Sequence, residues 1–190
     1  MVVDEAVAAA LGELSQSQVE IFVAGCAERM VQLFTGLSGP DPMRVSDVDT
    51  AVRLQEDLWN LDTPAEHFRR YVDCLESFQE LLPSDEELAD VAGIYSFYAV
   101  LSLRYAALYR CSRQVDDALK CAHACLTAMG QLDQNLQEPV HFTQEADFQR
   151  QAVVTPLAEA PNPSSFSRFR ERDRAAGRKR LEDVRSRLGR

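Results

Sequence analysis

Cys121, His123 and Cys125 lie close together in the chain and are the residue types that most resemble a metal site. A structural zinc site needs three or four such side chains converging on one point. Residues four apart in a helix share a face, whereas a residue midway between them points away. His123 therefore cannot join the two cysteines, and we expect buried core positions here. The sequence predicts no metal and no cofactor.

A second group of residues is suited to a polar pocket. Glu28 and Arg29 lie beside the apolar stripe of an amphipathic segment, and Arg104 is the one charge within a long apolar segment. A buried arginine requires a carboxylate, because an uncompensated buried charge costs about 3–5 kcal/mol. Two interpretations stay open, a ligand pocket or a structural ion pair with tyrosine hydroxyls bonded to backbone, and the second is favoured. The candidate binding residues are Glu28, Arg29, Trp59, Tyr95, Tyr98 and Arg104.

Sequence motifs typical of catalysis are absent. The chain has no glycine-rich phosphate loop, no nucleophile elbow and no His-Glu-x-x-His. Two catalytic carboxylates on different helices of a bundle would leave no such signature. An enzyme therefore has no positive support and ranks third among the functions considered.

The elements that must position these residues are helices. Val91 to Tyr109 is apolar on every side of a helical wheel, which predicts a central helix, at about 85–111, buried all round. A membrane span is the alternative, and the serines, the tyrosines and Arg104 weigh against it. Amphipathic stretches flank this segment, the first opening with a capping box at Ser17 and Glu20. Another stripe runs from Val115 to Leu136.

These patterns predict an all-α fold, a single bundle of five to six helices. We expect an acidic bundle over residues 1–155, a proline-rich junction over 156–163 and a basic tail over 164–190. No stretch alternates with a period of two, so strands are not expected.

The cysteines and the N-terminus indicate a compartment. The five cysteines are an odd number without a Cys-x-x-Cys pair and fall where a helical wheel has small apolar groups, which favours free, buried thiols in a reducing environment. The N-terminus carries acids where a secretory signal needs positive charge. We therefore expect a cytoplasmic protein with no transmembrane segment, and the scarcity of lysine beside arginine suggests a GC-rich bacterial genome.

The net charge of −10 hides a partition along the chain. Up to Pro163 there are 10 basic and 26 acidic residues, and from Ser164 onward there are 10 basic and 4 acidic. Three interpretations of the tail stay open: a helix docked on an acidic body, a disordered segment, or an arm that binds nucleic acid or a membrane surface. The third ranks behind the others, because the body repels nucleic acid. The candidate tail contacts are Arg168, Arg170, Arg172, Arg178, Lys179 and Arg180.

Several short stretches between Leu14 and Leu136 also form a pattern. They are Leu14-Ser15 with Gln18, Phe22 with Ala27-Glu28-Arg29-Met30 and Phe34, Leu58-Trp59, and Pro83 with Tyr95 to Ala99. In these stretches the chain resembles a divergent member of the YjaG-like family, a bacterial family of unknown function. The resemblance implies a compact helical bundle of unassigned activity. The family has an aspartate and small residues where this chain has Val100 and Leu101.

The acidic body predicts how the chain acts. Such an excess of acid usually only keeps a protein soluble, and its more specific interpretation is that a negative surface attracts basic partners. On that interpretation we expect a protein-binding module that uses an acidic helical surface. An immunity-like inhibitor that covers the active site of a basic toxin is one form of that function. The alternative is a nucleic-acid-associated protein acting through its arginine-rich tail, and association with a second copy of the chain stays open.

Overall fold

The computed structural model describes residues 3–39, 42–82, 91–134, 136–154 and 163–189. These residues form eight α-helices and one short 3-10 helix (Pro42–Arg44), with no strand among them, which confirms the all-α prediction. The α-helices are α1 (Glu5–Glu13), α2 (Gln16–Leu37), α3 (Val45–Trp59), α4 (Ala65–Glu76), α5 (Val91–Ser112), α6 (Val115–Leu132), α7 (Val140–Val154) and α8 (Pro163–Arg187). The described residues contain more helices than the five to six expected for the bundle, since seven precede the basic tail and the tail forms an eighth.

The most deeply buried helix is α2. Fifteen of its 22 residues are buried, against eleven of the 22 residues of α5. α3, α5, α6 and α8 all pack against it. The expectation that Val91 to Tyr109 is buried on every side is therefore wrong, although α5 packs against four helices, α2, α3, α4 and α6. One side of α5 is only half-buried, and its aromatic residues Tyr98 and Tyr105 look like core residues in the sequence.

α5 is also the one described helix that is long and apolar enough to cross a membrane, by length and composition alone. Half of its apolar stretch is buried inside the bundle, against α2, α4 and α6 among others. A core helix of a bundle has the same length and composition. Residues 85–90 of the expected central helix, with the acids Asp85 to Glu87, lie outside the described residues.

The N-cap of α2 and the turn between α5 and α6 are two local features of the fold that bear on Glu20. The N-cap of α2 is Ser15 rather than Ser17, and the backbone N–H of Ser15 donates to Gln18 Oε1 at 2.9 Å. Glu20, the expected capping partner, is instead buried and pairs with Arg113. Arg113 has a φ of 60° and separates α5 from α6 without a glycine or proline. Its backbone N–H donates to the carbonyl of Tyr109 at 2.8 Å, which closes the end of α5.

α8 packs along α2, and glycines allow the two helices to approach closely. A Cβ on Gly25 of α2 would lie 2.5 Å from Oδ2 of Asp173, and a Cβ on Gly177 of α8 would lie 3.0 Å from the carbonyl oxygen of Glu28. The basic tail is thus a helix with its own complementary surface on the body. Of the expected junction 156–163, all but Pro163 lies outside the described residues.

Candidate functional site

The interface between α2 and α8 brings together more of the predicted site residues than any other described surface. α3 flanks α8 on one side and α7 flanks it on the other, and a groove separates α8 from each neighbour. Two clusters of charged side chains cross this interface. We call them the Glu28 cluster and the Arg29 cluster, after adjacent residues of α2.

The Glu28 cluster binds two arginines of α8 to one buried carboxylate. The Glu28 side chain is 2% exposed, and its Oε2 accepts hydrogen bonds from Trp59 Nε1 at 2.7 Å and from Gln55 Nε2 at 2.9 Å. Arg174 Nε donates to Oε1 at 2.8 Å, and Arg170 Nε donates to Oε2 at 3.3 Å. The carboxylate is therefore fully satisfied, which is the condition for keeping a charge buried.

Neighbouring side chains extend this cluster toward solvent. Arg170 and Arg174 also reach Glu56, an exposed residue of α3. The Arg170 guanidinium lies 5.8 Å from the centre of the Trp59 ring, and Phe166 meets that ring edge-on at 5.2 Å. Hydrogen bonding to Glu28 is the main reason why the pKa of Arg174 is raised. Two arginines one helical turn apart are thus bound by carboxylates and an aromatic ring.

The Arg29 cluster lies on the other side of α2. Arg29 Nε and Nη2 each donate to Glu145 of α7 at 2.9 Å, a bidentate pair. Arg29 Nη1 lies 3.2 Å from Asp173 Oδ2 of α8, and Arg180 of α8 also donates to Glu145. The ring of Phe148 lies beside this pair, with its centre 5.1 Å from the Arg29 guanidinium carbon.

Burial and the neighbouring arginines shift the pKa values of the two carboxyl groups in this cluster in opposite directions. Burial alone would raise the pKa of Glu145, but Arg29 and Arg180 outweigh it and lower the pKa to about 2. At Asp173 burial wins, and the pKa of that carboxyl is raised although Arg29 and Arg172 lie beside it. Glu145 is consequently a firm carboxylate anchor for α8, whereas Asp173 binds its proton more readily.

Three of the five cysteines are buried next to the Arg29 cluster, whereas Cys74 is exposed and Cys111 is half-buried, so the prediction of buried thiols is wrong for Cys74. Cys26, Cys121 and Cys125 are fully buried, and the ligand atoms of Cys26, Cys125 and Glu145 lie within 4.8 Å of one another. Arg29 and Gln149 bind Glu145 Oε1, and Arg29 and Arg180 bind Oε2, so both carboxylate oxygens are engaged. Arg29 Nη2 also lies 3.4 Å from Cys26 Sγ, where its positive charge would repel a bound metal ion. This arrangement fits a packed core better than a metal site.

The positions of the cysteines agree in part with the prediction from helical spacing. Cys121 and Cys125 face the core while His123 is exposed beside Thr127. The neighbouring Cys121 and Cys125 thiols lower the pKa of the Cys26 thiol, and burial is the main reason why the pKa of Cys125 is raised. Sequence spacing does not reveal that Cys26, from another helix, joins the pair.

The polar pocket proposed from Glu28, Arg104, Tyr95 and Tyr98 does not form. Arg104 is on the outer side of α5, where Nη2 donates to Glu76 at 2.8 Å. Tyr98 borders a surface groove with Tyr105 and His123. Tyr95 is buried, and burial raises its pKa despite the nearby charge of Arg187. Arg104 cannot join Tyr95, because nine residues of helix place the two on opposite sides of α5.

A buried arginine of α5 does exist, six residues beyond the predicted one. Arg110 is fully buried, with its guanidinium 4.3 Å from the centre of the Phe68 ring. Nη1 donates to the carbonyl of Leu58 at 2.9 Å, and Nη2 donates to the carbonyls of Asn60 and Thr63 at 3.1 Å. Arg110 therefore caps the C-terminus of α3, a role that gives no signal in the sequence.

The candidate tail residues divide into two sets. Arg170, Arg172 and Arg180 face the body, with the Arg172 guanidinium 4.1 Å from the centre of the Phe169 ring and 5.1 Å from that of Phe148. The other three are exposed, and Arg178 and Lys179 pair within α8 with Glu171 and Asp183. The residues missed by sequence reasoning are Gln55, Glu56, Glu145, Asp173 and Arg174. The four-residue spacing of Arg170 and Arg174 was the available signal.

The two grooves beside α8 differ in size and character. The groove between α7 and α8 has a volume of about 470 Å³, and the one between α3 and α8 about 190 Å³. Phe148, Ala175 and Ala176 give the larger groove an apolar wall, while the smaller groove gives access to Glu28 and Arg174. The charged groups beside both grooves include ion pairs between α8 and its neighbours.

Comparison of the chain with protein-family models, curated proteins and solved structures finds no match. The resemblance to the YjaG-like family stays a prediction. The geometry of the interface between α2 and α8 is therefore the main indication of function.

Proposed function

We propose that this chain is a protein-binding module of the bacterial cytoplasm that binds a basic protein through its acid-rich helical surface. An immunity-like inhibitor of a basic partner is one form of this function. Among the described residues 3–154, sixteen acidic and seven basic side chains are at least partly exposed. An excess of one sign attracts partners of the other sign and steers their approach.

The observation that carries the proposal is the way in which the body binds its own basic helix. Glu28 and Glu56 together accept both Arg170 and Arg174, and Glu145 accepts Arg180 on the other side of α2. The body thus combines carboxylates with the Trp59 ring to bind arginines. Arginine binding by fixed carboxylates and aromatic faces is a common mode of recognition at protein interfaces.

The tail-driven alternative has less support from the same contacts. Arg170, Arg174 and Arg180 are paired with carboxylates, so a phosphate would have to displace those partners. Arg168, Arg178 and Lys179 are exposed on α8 and remain the residues through which a nucleic acid would bind. An acidic body beside them opposes that binding.

Affinity capture from native lysate after nuclease treatment tests the proposal. The bait is the full chain, because removing α8 would leave Glu28 and Glu145 without their arginines. A bait carrying Asp49→Asn, Glu66→Gln and Asp73→Asn removes exposed acids of α3 and α4, and one carrying Arg168→Gln and Arg178→Gln removes exposed bases of α8. We expect a basic protein that the first variant retains weakly and the second retains fully. Nuclease-sensitive capture that requires Arg168 and Arg178 would contradict the proposal.

A further inference from the structure

α8 is attached to the body mainly by charge. Val184 is the one fully buried apolar side chain among residues 164–187, whereas Asp173 and Arg180 are buried and charged. Phe166, Phe169 and Leu181 are half-buried. A buried ion pair contributes little net stability, because the desolvation cost offsets most of the attraction. The attachment of α8 is therefore weaker than the apolar packing of α2 against α5 and α6.

The surface under α8 is organised without α8. Trp59 and Gln55, both on α3, hold Oε2 of Glu28, and Gln55 Nε2 also reaches the carbonyl of Ala24 at 3.2 Å. Arg29 and Gln149 likewise hold Glu145. If α8 leaves, both carboxylates keep these body contacts and turn toward water. A preorganised site of this kind binds a new partner with a smaller ordering cost.

The contacts of α8 define the register of a helix that fits this surface. Arg170 and Arg174 bind Glu28 and Glu56, and Arg180 binds Glu145. A small residue is needed at Gly177, since a Cβ there would lie 2.9 Å from Gln32 Nε2 and 3.0 Å from the Glu28 carbonyl oxygen. The pattern is Arg-x3-Arg-x2-Gly-x2-Arg, with arginines at positions 1, 5 and 11.

We propose that α8 is a displaceable strap over this site, and that the basic partner binds there with an arginine-bearing helix of the same register. The proposal deepens the proposed function and rests on it. It assigns the arginine-binding contact to the Glu28 and Arg29 clusters, with Glu56, while exposed acids such as Asp49, Glu66 and Asp73 attract the partner to this surface without binding its arginines. The partner helix replaces α8 one arginine at a time, since each carboxylate that loses an α8 arginine gains an equivalent one.

A peptide of residues 163–187 is a defined probe for the site. Its control is the same peptide with glutamine at the positions of Arg170 and Arg174. The protein is the full chain in three forms: unchanged, with Arg170→Gln and Arg174→Gln to loosen α8, and with Arg168→Gln and Arg178→Gln. The last form loses the same charge from exposed positions of α8 and leaves the arginines that bind Glu28 and Glu145 intact.

We expect the labelled peptide to bind the Arg170→Gln, Arg174→Gln chain about tenfold or more tightly than it binds the other two forms. Adding Glu28→Gln to that chain, or using the control peptide, removes the gain. Equal binding to all three forms, or binding that ignores Glu28, overturns the strap. Such a result would not contradict the proposed function, because the exposed acids could still capture a basic protein. Failure of the strap and failure of the proposed function are therefore distinguishable.

Hydrogen exchange on the unchanged chain gives a second readout that does not depend on any variant. We expect the amides of α8 to exchange through an opening that α5 does not share. Raising the salt from about 0.1 M to about 0.5 M should accelerate α8 alone, because salt screens the partly exposed pairs of Arg170 and Arg174 with Glu56 although it weakens the buried pairs much less. Exchange of α8 and α5 at one common rate in both salts overturns the proposal. A stable dimer of the unchanged chain that Arg170→Gln with Arg174→Gln dissolves also overturns it, since the occupant would then be a second copy.

Discussion

Arg174 Nε donates a hydrogen bond of 2.8 Å to Glu28 Oε1 across 146 residues of chain, and this bond joins the basic C-terminal helix to the most buried helix of the acidic body. Trp59 holds the other oxygen of the same carboxylate. An acid from the N-terminal third, an indole from α3 and a base from the tail thus meet at one point. The opposite charges of body and tail are complementary within a single chain.

Acid should loosen the attachment of α7 and α8. The pKa of Glu145 is about 2 in the folded chain and about 4.5 when unfolded, so its contribution is complete above about pH 4.5 and is lost as the pH falls toward 2. The lost stability amounts to about 3 kcal/mol. Urea unfolding between these pH values measures it. Glu145→Gln should lower stability at pH 7 and flatten this dependence, whereas Asp147→Asn, a half-buried neighbour in α7, should preserve it.

Asp173 should act in the opposite sense. Its raised pKa means that the folded chain binds a proton before the unfolded chain does, so acidification from neutral pH first favours folding through this group. With Asp173→Asn we therefore expect a steeper net loss of stability in acid. An acid profile that Asp173→Asn leaves unchanged would contradict the burial that raises this pKa.

Gly25→Ala should separate α8 from α2. The new methyl would lie 2.5 Å from Asp173 Oδ2 and 3.3 Å from Arg29 Nη1, two groups that already pair with each other. Overpacking of this kind costs about 1–3 kcal/mol, and α8 should show the change first, as faster hydrogen exchange.

Gly12→Ala is the matched control for that substitution. Gly12 is also within a helix, α1, and nothing lies within 4 Å of its added methyl. Alanine there should stabilise the chain by about 0.5–1 kcal/mol. If the two substitutions have the same effect on α8, the close approach of the helices is not what the structure indicates.

Arg110 should matter far more for stability than Arg104. Arg110→Ala removes the hydrogen bonds to three carbonyls and the contact with the buried Glu20 carboxylate, at a cost of about 3–5 kcal/mol. Arg110→Lys should rescue little, since one ammonium cannot reproduce the planar fork.

Arg104→Ala supplies the comparison within the same helix. It breaks a partly exposed pair with Glu76, which is worth at most about 1 kcal/mol. Thermal or urea unfolding of the three variants ranks them, and equal losses for Arg104→Ala and Arg110→Ala would contradict the assignment.

The sequence predicts the class of fold well because helix periodicity and caps are local signals. It fails for Arg104 and Arg110, since both are arginines in one apolar segment and only the packing of α3 and α4 decides which is buried. The sequence places Glu28 and Arg29 beside an apolar stripe but does not show that both side chains are buried. Their partners Glu145, Asp173 and Arg174 are more than 110 residues away, and no local pattern links them. The sequence overestimates the burial of α5, because aromatic residues on the outer side of this helix look like core residues.

A double-mutant cycle between Glu28 and Arg174 tests most directly whether α8 is held by the carboxylate of α2. Glu28→Gln, Arg174→Gln and the double variant are compared by the hydrogen-exchange free energy of α8, with Glu76 and Arg104 as a partly exposed control pair. We expect a coupling of about 1 kcal/mol or more for Glu28 with Arg174, and less for the control pair. Losses at Glu28 and Arg174 that add to within about 0.3 kcal/mol would show that the two side chains act independently. That result would contradict the binding of α8 through the Glu28 carboxylate.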